Sequence, residues 1–202
     1  MTRNSKRKEP DRDELYRTAE SQGGYFTSAQ AAQAGFSRKL LWHHEKMGKF
    51  LRAEHGVYRL AQFPSSRFED LFVAWLKCGP ESAISHQSAL ALYDLSDVLP
   101  GEVHVTVPRT ASRRRKGIRL HTNRLHPADV VKREGLLVTS VPRTIADVAR
   151  AGLSEDHVAR AIRDALQRGL TTKKALLAEA RRRGGRAGHL MRAHSNSSRG
   201  ES

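Results

Sequence analysis

Arg38, Trp42 and Lys46 recur at four-residue spacing, with Lys39 and His43 beside them. At 3.6 residues per turn, that spacing gathers cations and one aromatic ring onto a single helix face. Lysine and arginine neutralise phosphates, and a guanidinium can also pair with the edge of a guanine. The chemistry on offer is contact with a polyanion, by a helix narrow enough to enter a major groove. Lys49, Arg52, His55 and Arg59 follow within fifteen residues and extend the same potential. Thr27 and Ser28, at the start of the preceding helix, complete the expected DNA-contacting set in this region.

Other chemistries find less support. The chain has one cysteine, Cys78, so no intrachain disulfide can form, and a reducing cytoplasm fits. No G-x-x-x-x-G-K-[ST] loop and no G-x-S-x-G elbow is present. The ten histidines show no H-x-x-x-H pairing with an acid, and His43 and His44 are adjacent, so they diverge by about 100° on one helix. No metal, no cofactor and no catalytic residue is therefore expected. His86 invites a catalytic reading, but no nucleophile or acid pair stands near it, and a capping or interhelix hydrogen bond accounts for it better. Glu102 and His104 share one strand face, with His121 able to lie opposite. A single acid makes that a poor site for a metal-dependent nuclease.

The elements that must position the cationic face are legible from Thr27 to Leu60. Thr27 or Ser28 caps an Ala-rich helix, Gly35 turns the chain, and Ser37 caps a second helix from Arg38 to Met47. Leu41 points inward, with Leu40, His44 and Met47 near the same face. Phe50–Ala53 and Val57–Leu60 are short β-type runs around the turn Glu54-His55-Gly56. This is the order of a winged helix-turn-helix. A helix from Asp11–Asp13 to Gly23-Gly24 precedes it. Residues 1–10 form a basic tail expected to be disordered, 11–62 the winged module, and 66–192 a second domain beyond a Pro-containing linker. Residues 193–202 form a polar tail, also expected to be disordered.

Charge supports the division. The chain holds 36 Lys and Arg against 21 Asp and Glu among 202 residues, a formal net charge of +15. Residues 109–133 carry nine basic groups and one acid, and residues 160–192 carry ten and two. The intervening stretches are mildly acidic and more apolar, as the interior of a second domain would be. Such a balance favours a nucleic-acid partner. The N-terminus lacks the apolar core of a signal peptide, and no run approaches the length of a membrane span, so a soluble intracellular protein is expected.

In the second domain, Phe68, Leu71, Phe72, Trp75 and Leu76 have helical spacing, and Ser85–Leu95 reads as another helix. Glu102–Val107 alternates as a strand, Arg109–Lys116 is a basic loop, and Ile118–Thr122 resumes as a strand. The two strands read as an antiparallel pair. Val130–Val138 supplies one or two more strands, broken at Gly135. Pro142 sits in the first turn of a helix, where its missing N–H is harmless. Two helices, Ser154–Arg168 and Thr171–Arg183, follow, with at most one short turn after Gly184-Gly185. The fold class is α+β: a winged helix-turn-helix, then a mixed domain with a small antiparallel sheet and C-terminal helices.

The N-terminal string resembles the winged-helix domain of the AbiEi family, the antitoxins of type IV toxin–antitoxin systems. The match lies in Phe26-Thr27, Ala31, Gly35, Ser37-Arg38, Gly48-Lys49-Phe50 and Gly56-Val57-Tyr58-Arg59-Leu60. His44 departs from it, since that family usually carries an apolar residue there. Further on, Thr106-Val107-Pro108 before the Arg-rich loop and Pro142-Arg143-Thr144-Ile145-Ala146-Asp147 resemble the same group. The resemblance implies a repressor of its own operon that binds double-stranded promoter DNA. It also implies antagonism of a nucleotidyltransferase toxin without a stable direct complex, carried by the second domain. The paired Gly-Ser and Asp-x-Asp of such a toxin are missing, so the chain looks like the antitoxin half. Arg109, Arg113, Arg114, Arg115 and Lys116 are expected to add phosphate contacts. Thr144 and Asp147 are expected to hold a helix start to the sheet. A regulator unrelated to toxins, or a nuclease targeted by its winged helix, are the alternatives.

Overall fold

The computed structural model describes residues 9–96, 100–111 and 114–196. The chain forms two compact units. One comprises the residues up to Pro80 with Glu134–Leu136, and the other Glu81–Arg133 with the residues from Leu137 onward.

The first unit opens with α1 (Arg12–Glu20), whose N-cap Asp11 accepts from the Glu14 N–H at 2.8 Å. That carboxylate satisfies one of the free donors of the first turn. Strand β1 (Tyr25–Thr27) leads into α2 (Ser28–Gln33) and α3 (Arg38–Lys46), then β2 (Phe50–Glu54) and β3 (Val57–Leu60). The strand order is β1-β3-β2, and both pairings are antiparallel. Thr27 makes a reciprocal cap on α2: its hydroxyl accepts from the Gln30 N–H at 3.1 Å, and the Gln30 side chain accepts from the Thr27 N–H at 2.8 Å. Gly35 turns the chain between α2 and α3 at φ +84°, and a Cβ there would lie 2.9 Å from the Glu9 carbonyl oxygen. Only glycine meets both conditions without strain.

Leu15, Ala19, Phe26, Ala31, Phe36, Leu41, Phe50, Tyr58 and Leu60 form the core beneath the helices. Phe26 meets Phe50 edge-on at 5.1 Å between ring centroids. Helix α4 (Glu69–Cys78) also belongs to this unit, although its sequence position lies beyond the linker. Tyr25 stacks on Phe72 at 4.9 Å and its hydroxyl donates to Glu69 at 2.7 Å. The apolar face of α4 is thus satisfied by the strand that opens the winged module.

In the second unit, β4 (Ala83–Ile84), β5 (Val103–Val107), β6 (Ile118–Thr122), β7 (Val130–Arg133) and β8 (Leu136–Thr139) form a sheet of order β6-β5-β4-β8-β7. The strand β4 escaped the sequence reading because two residues cannot show a period. A second departure concerns β5 and β6, which run parallel and not antiparallel. Val103 donates to the Gly117 carbonyl at 2.9 Å, so both strands begin at the same end. A parallel pair cannot be joined by a tight hairpin and needs a longer connection.

Helices α5 (His86–Leu92), α6 (Val141–Arg150), α7 (Glu155–Gln167), α8 (Lys173–Arg183) and α9 (Gly185–Asn196) complete the unit. Helix α6 packs against the other four and is buried along nearly all its length. Its Thr144 donates to the Thr139 carbonyl at 2.9 Å, which fixes its first turn to the end of β8. Asp147 has a different role from the one expected of it. It pairs with Arg143 at 2.7 Å, and Arg143, only 1% exposed, reaches Asp129 at 2.9 Å. Arg182 and Arg183 also bind Asp129, which ties α8 to the same centre.

The C-terminal tail expected from residue 193 is helical through Asn196. Helix α9 spans twelve residues and buries Ala187, Leu190, Met191 and Ser195. A Cβ at Gly188 would lie 2.5 Å from the Ala180 carbonyl oxygen, so glycine permits the close approach of α9 to α8. Arg186 donates to the Ala149 and Leu153 carbonyls at the C-terminal end of α6, tying α9 to it. Composition alone reads as a tail because the packing partners of α9 come from three other helices. Of the tails expected to be disordered, residues 1–8 and 197–202 lie outside the described residues.

Candidate nucleic-acid interface

Helix α3 is capped by Ser37, whose hydroxyl accepts from the Leu40 N–H at 3.2 Å. Leu41 and His44 face the core. Arg38, Lys39, Trp42, His43 and Lys46 are all exposed, as the period required. Trp42 is 57% exposed, an unusual position for an indole unless it meets a partner. Met47 was expected inside and lies outside, 62% exposed, because the helix ends there and its backbone serves as the C-cap.

His44 is buried where an apolar residue was expected. Its ring lies 4.8 Å from Phe50 and 5.7 Å from Phe36, and its Nδ1 has no hydrogen-bond partner. Burial, followed by the charges of Lys49 and Arg12, lowers its pKa, so the ring sits in the core as a neutral group.

The wing is only partly available for contact. Arg52 and His55 are exposed and hydrogen-bond to each other at 3.0 Å across the turn. Lys49 and Ser28 are exposed, and the Ser28 N–H donates to the Gly56 carbonyl at 2.9 Å, joining α2 to the wing turn. Arg59 is half-buried and donates to the Phe63 carbonyl, which turns it back toward its own chain. Thr27 is similarly occupied by its cap.

In the second unit, Arg109, Arg114 and Lys116 are exposed, while Arg115 is half-buried near the Ala111 carbonyl. Arg113 lies outside the described residues.

Sequence reasoning set His121 opposite His104, and the structure adds His86 to that pair. The three come from the start of α5, from β5 and from β6, and one nitrogen of each lies within 4.8 Å of the others. His121 Nε2 is 3.1 Å from His104 Nδ1, and the His86 and His121 rings stack at 3.5 Å. Burial is the main cause of their low pKa values, about 2 for His86 and about 4 for the other two, and neighbouring cationic groups add to it. Glu102 is exposed and outside this group. Local spacing could not reveal the cluster, because the three positions meet only through strand pairing. The strict alternation of His104 with valines was the available signal.

Three helices, a three-stranded wing sheet and a cationic outer face on the second helix of the turn define a winged helix-turn-helix. Residues 13–61 match the family model described as "Transcriptional regulator, AbiEi antitoxin". No curated protein matches the chain. Among solved structures, the crystal structure of the RV2827C protein from Mycobacterium tuberculosis is similar, at 15% identity and a TM-score of 0.53. That likeness covers 92% of this chain and 77% of the other, and supports the fold. Among the described residues, no helix is long and apolar enough to cross a membrane.

Proposed function

We propose that this chain is a sequence-specific repressor of its own operon and the antitoxin of a type IV toxin–antitoxin pair. Helix α3 enters the major groove of double-stranded promoter DNA, with Arg38, Lys39, Trp42, His43 and Lys46 toward the duplex. Lys49, Arg52 and His55 reach the flanking backbone from the wing, and Ser28 contributes from the N-terminus of α2. Arg109, Arg113, Arg114, Arg115 and Lys116 supply further phosphate contacts. The antagonised toxin is a nucleotidyltransferase, silenced without a stable complex, and the second unit carries that activity. The protein works in the cytoplasm.

The observation that supports this reading best is the exposed face of α3, where cations surround an uncovered tryptophan. The family match over residues 13–61 supports it independently. A gel-shift titration on the DNA upstream of its own gene tests the repressor. Specific binding is expected there, and equal affinity for a scrambled duplex would refute it. Co-expression with a nucleotidyltransferase gene found beside its own, scored by growth, tests the antitoxin, and the lack of such a gene counts against it. Growth arrest that the second unit fails to relieve would count against that assignment.

A further inference from the structure

The three histidines of the second unit meet in an arrangement that hydrogen bonding alone explains poorly. Two ring nitrogens, His121 Nε2 and His104 Nδ1, face one another at 3.1 Å. A neutral pair can share one proton there, but the third ring, His86, stacks on His121 and hydrogen-bonds to Ser85, outside that pair. The backbone at His86 adopts φ +51°, a left-handed conformation that is uncommon for a residue with a side chain. Such strain persists where the surroundings impose it, and it concentrates at functional positions.

We propose that His86, His104 and His121 form a binding site for a divalent transition-metal ion of the zinc class. Zinc–nitrogen bonds of about 2.0–2.1 Å in tetrahedral geometry place ligand nitrogens roughly 3.3 Å apart. The 3.1 Å between His104 and His121 is close to that edge, and the wider spread of 4.8 Å closes by rotation of rings. His121 is half-buried on the edge strand β6 and has room to turn. Imidazole suits zinc, nickel and copper, whereas calcium and magnesium prefer oxygen ligands.

The surrounding hydroxyls fit the role of outer-shell partners. His86 Nδ1 contacts the Ser85 hydroxyl at 3.0 Å, leaving its Nε2 for the ion. Thr106 donates to that same hydroxyl at 2.8 Å, and the Ser88 hydroxyl accepts from the His104 backbone N–H at 2.9 Å, which holds the main chain of β5 beside α5. Ligating histidines usually have their second nitrogen fixed as that of His86 is. Three neutral ligands leave the ion's charge uncompensated, and Arg119 stands nearby. The fourth position therefore takes a hydroxide or another small anion. It opens toward a cavity of about 420 Å³ lined by His86, His121, Asp147 and Arg150.

The test uses the full chain, purified without a polyhistidine tag and stripped with a chelator. Titration with Co²⁺ is expected to give the visible bands of a four-coordinate ion, saturating at one equivalent and displaced by Zn²⁺. His121→Ala should abolish these bands, while the double change His43→Ala and His55→Ala should leave them. Absence of a one-equivalent transition in the unaltered chain overturns the site, as does survival of the bands in His121→Ala. If that variant does not fold, ring-nitrogen NMR of the unaltered chain decides. Zn²⁺ must then shift the resonances of His86, His104 and His121 together, and any other set of histidines refutes the proposal.

Discussion

Changing Arg38 and Lys46 together to alanine should weaken DNA binding and also reduce its salt dependence by a calculable amount. Five exposed cations of fixed charge stand on α3 and the wing: Arg38, Lys39, Lys46, Lys49 and Arg52. Arg59 is excluded because the Phe63 carbonyl holds it. Each phosphate neutralised contributes about −0.9 to the slope of log K against log salt on duplex DNA. Five contacts give a slope of about −4.5, or ~500-fold weaker binding when salt rises from about 50 to 200 mM. Three remaining contacts give about −2.7 and a ~40-fold loss. Cations of the second unit raise both slopes equally, so the difference of roughly 1.8 is the quantity to measure. Fluorescence anisotropy at several salt concentrations reads it directly. A slope that falls by less than about one would show that these side chains do not touch phosphates. Both residues are exposed, so circular dichroism should be unchanged. Loss of helix would instead mean that the face of α3 is wrongly assigned.

His44→Leu should stabilise the winged module by about 1–3 kcal/mol, because it removes a buried ring nitrogen without a partner, and chemical denaturation would register a rise in midpoint. A lower midpoint would show that the ring finds a partner in solution. Arg143→Met should cost about 3–5 kcal/mol, since the change leaves Asp129 and Asp147 buried without their shared cation; an unchanged melting temperature would refute that account. Thr27→Ala removes the reciprocal cap on α2 and should cost about 0.5–2 kcal/mol, with Thr27→Ser largely restoring it in the same melting assay. Acid should destabilise the metal-free chain in a defined window. His86, His104 and His121 have folded pKa values below the unfolded value, so unfolding takes up protons. Stability is therefore level above about pH 6.5 and falls as pH drops toward 4, by at most ~1.4 kcal/mol per pH unit for each group. Equilibrium unfolding across that range checks it, and a flat profile would place the rings in water.

The α3 face was legible in sequence because its geometry is local. One helix period fixes which of Arg38, Leu41, Trp42 and Lys46 share a side, whatever the rest of the chain does. Capping by Thr27 and Ser37 and the turn at Gly35 are equally local. Met47 and Arg59 show where that reasoning ends. The first depends on where the helix stops, and the second on a carbonyl four residues further along the chain.

In the second unit, long-range pairing decided more. Alternation identified β5 and β6, but alternation carries no direction, and only the pairing itself shows them parallel. Helix α4 has an apolar face that any partner could cover, and Tyr25 and Phe72 determine that the winged module covers it. Helix α9 is held by α6 and α7 as well as by its neighbour α8. The histidine cluster belongs to the same class. By itself, the sequence determined the identity and exposed face of the α3 cations and Trp42, since short-range periodicity and caps set these. Tertiary structure alone added His86 to His104 and His121, because strands and helices separated by many residues meet only when a non-local sheet forms.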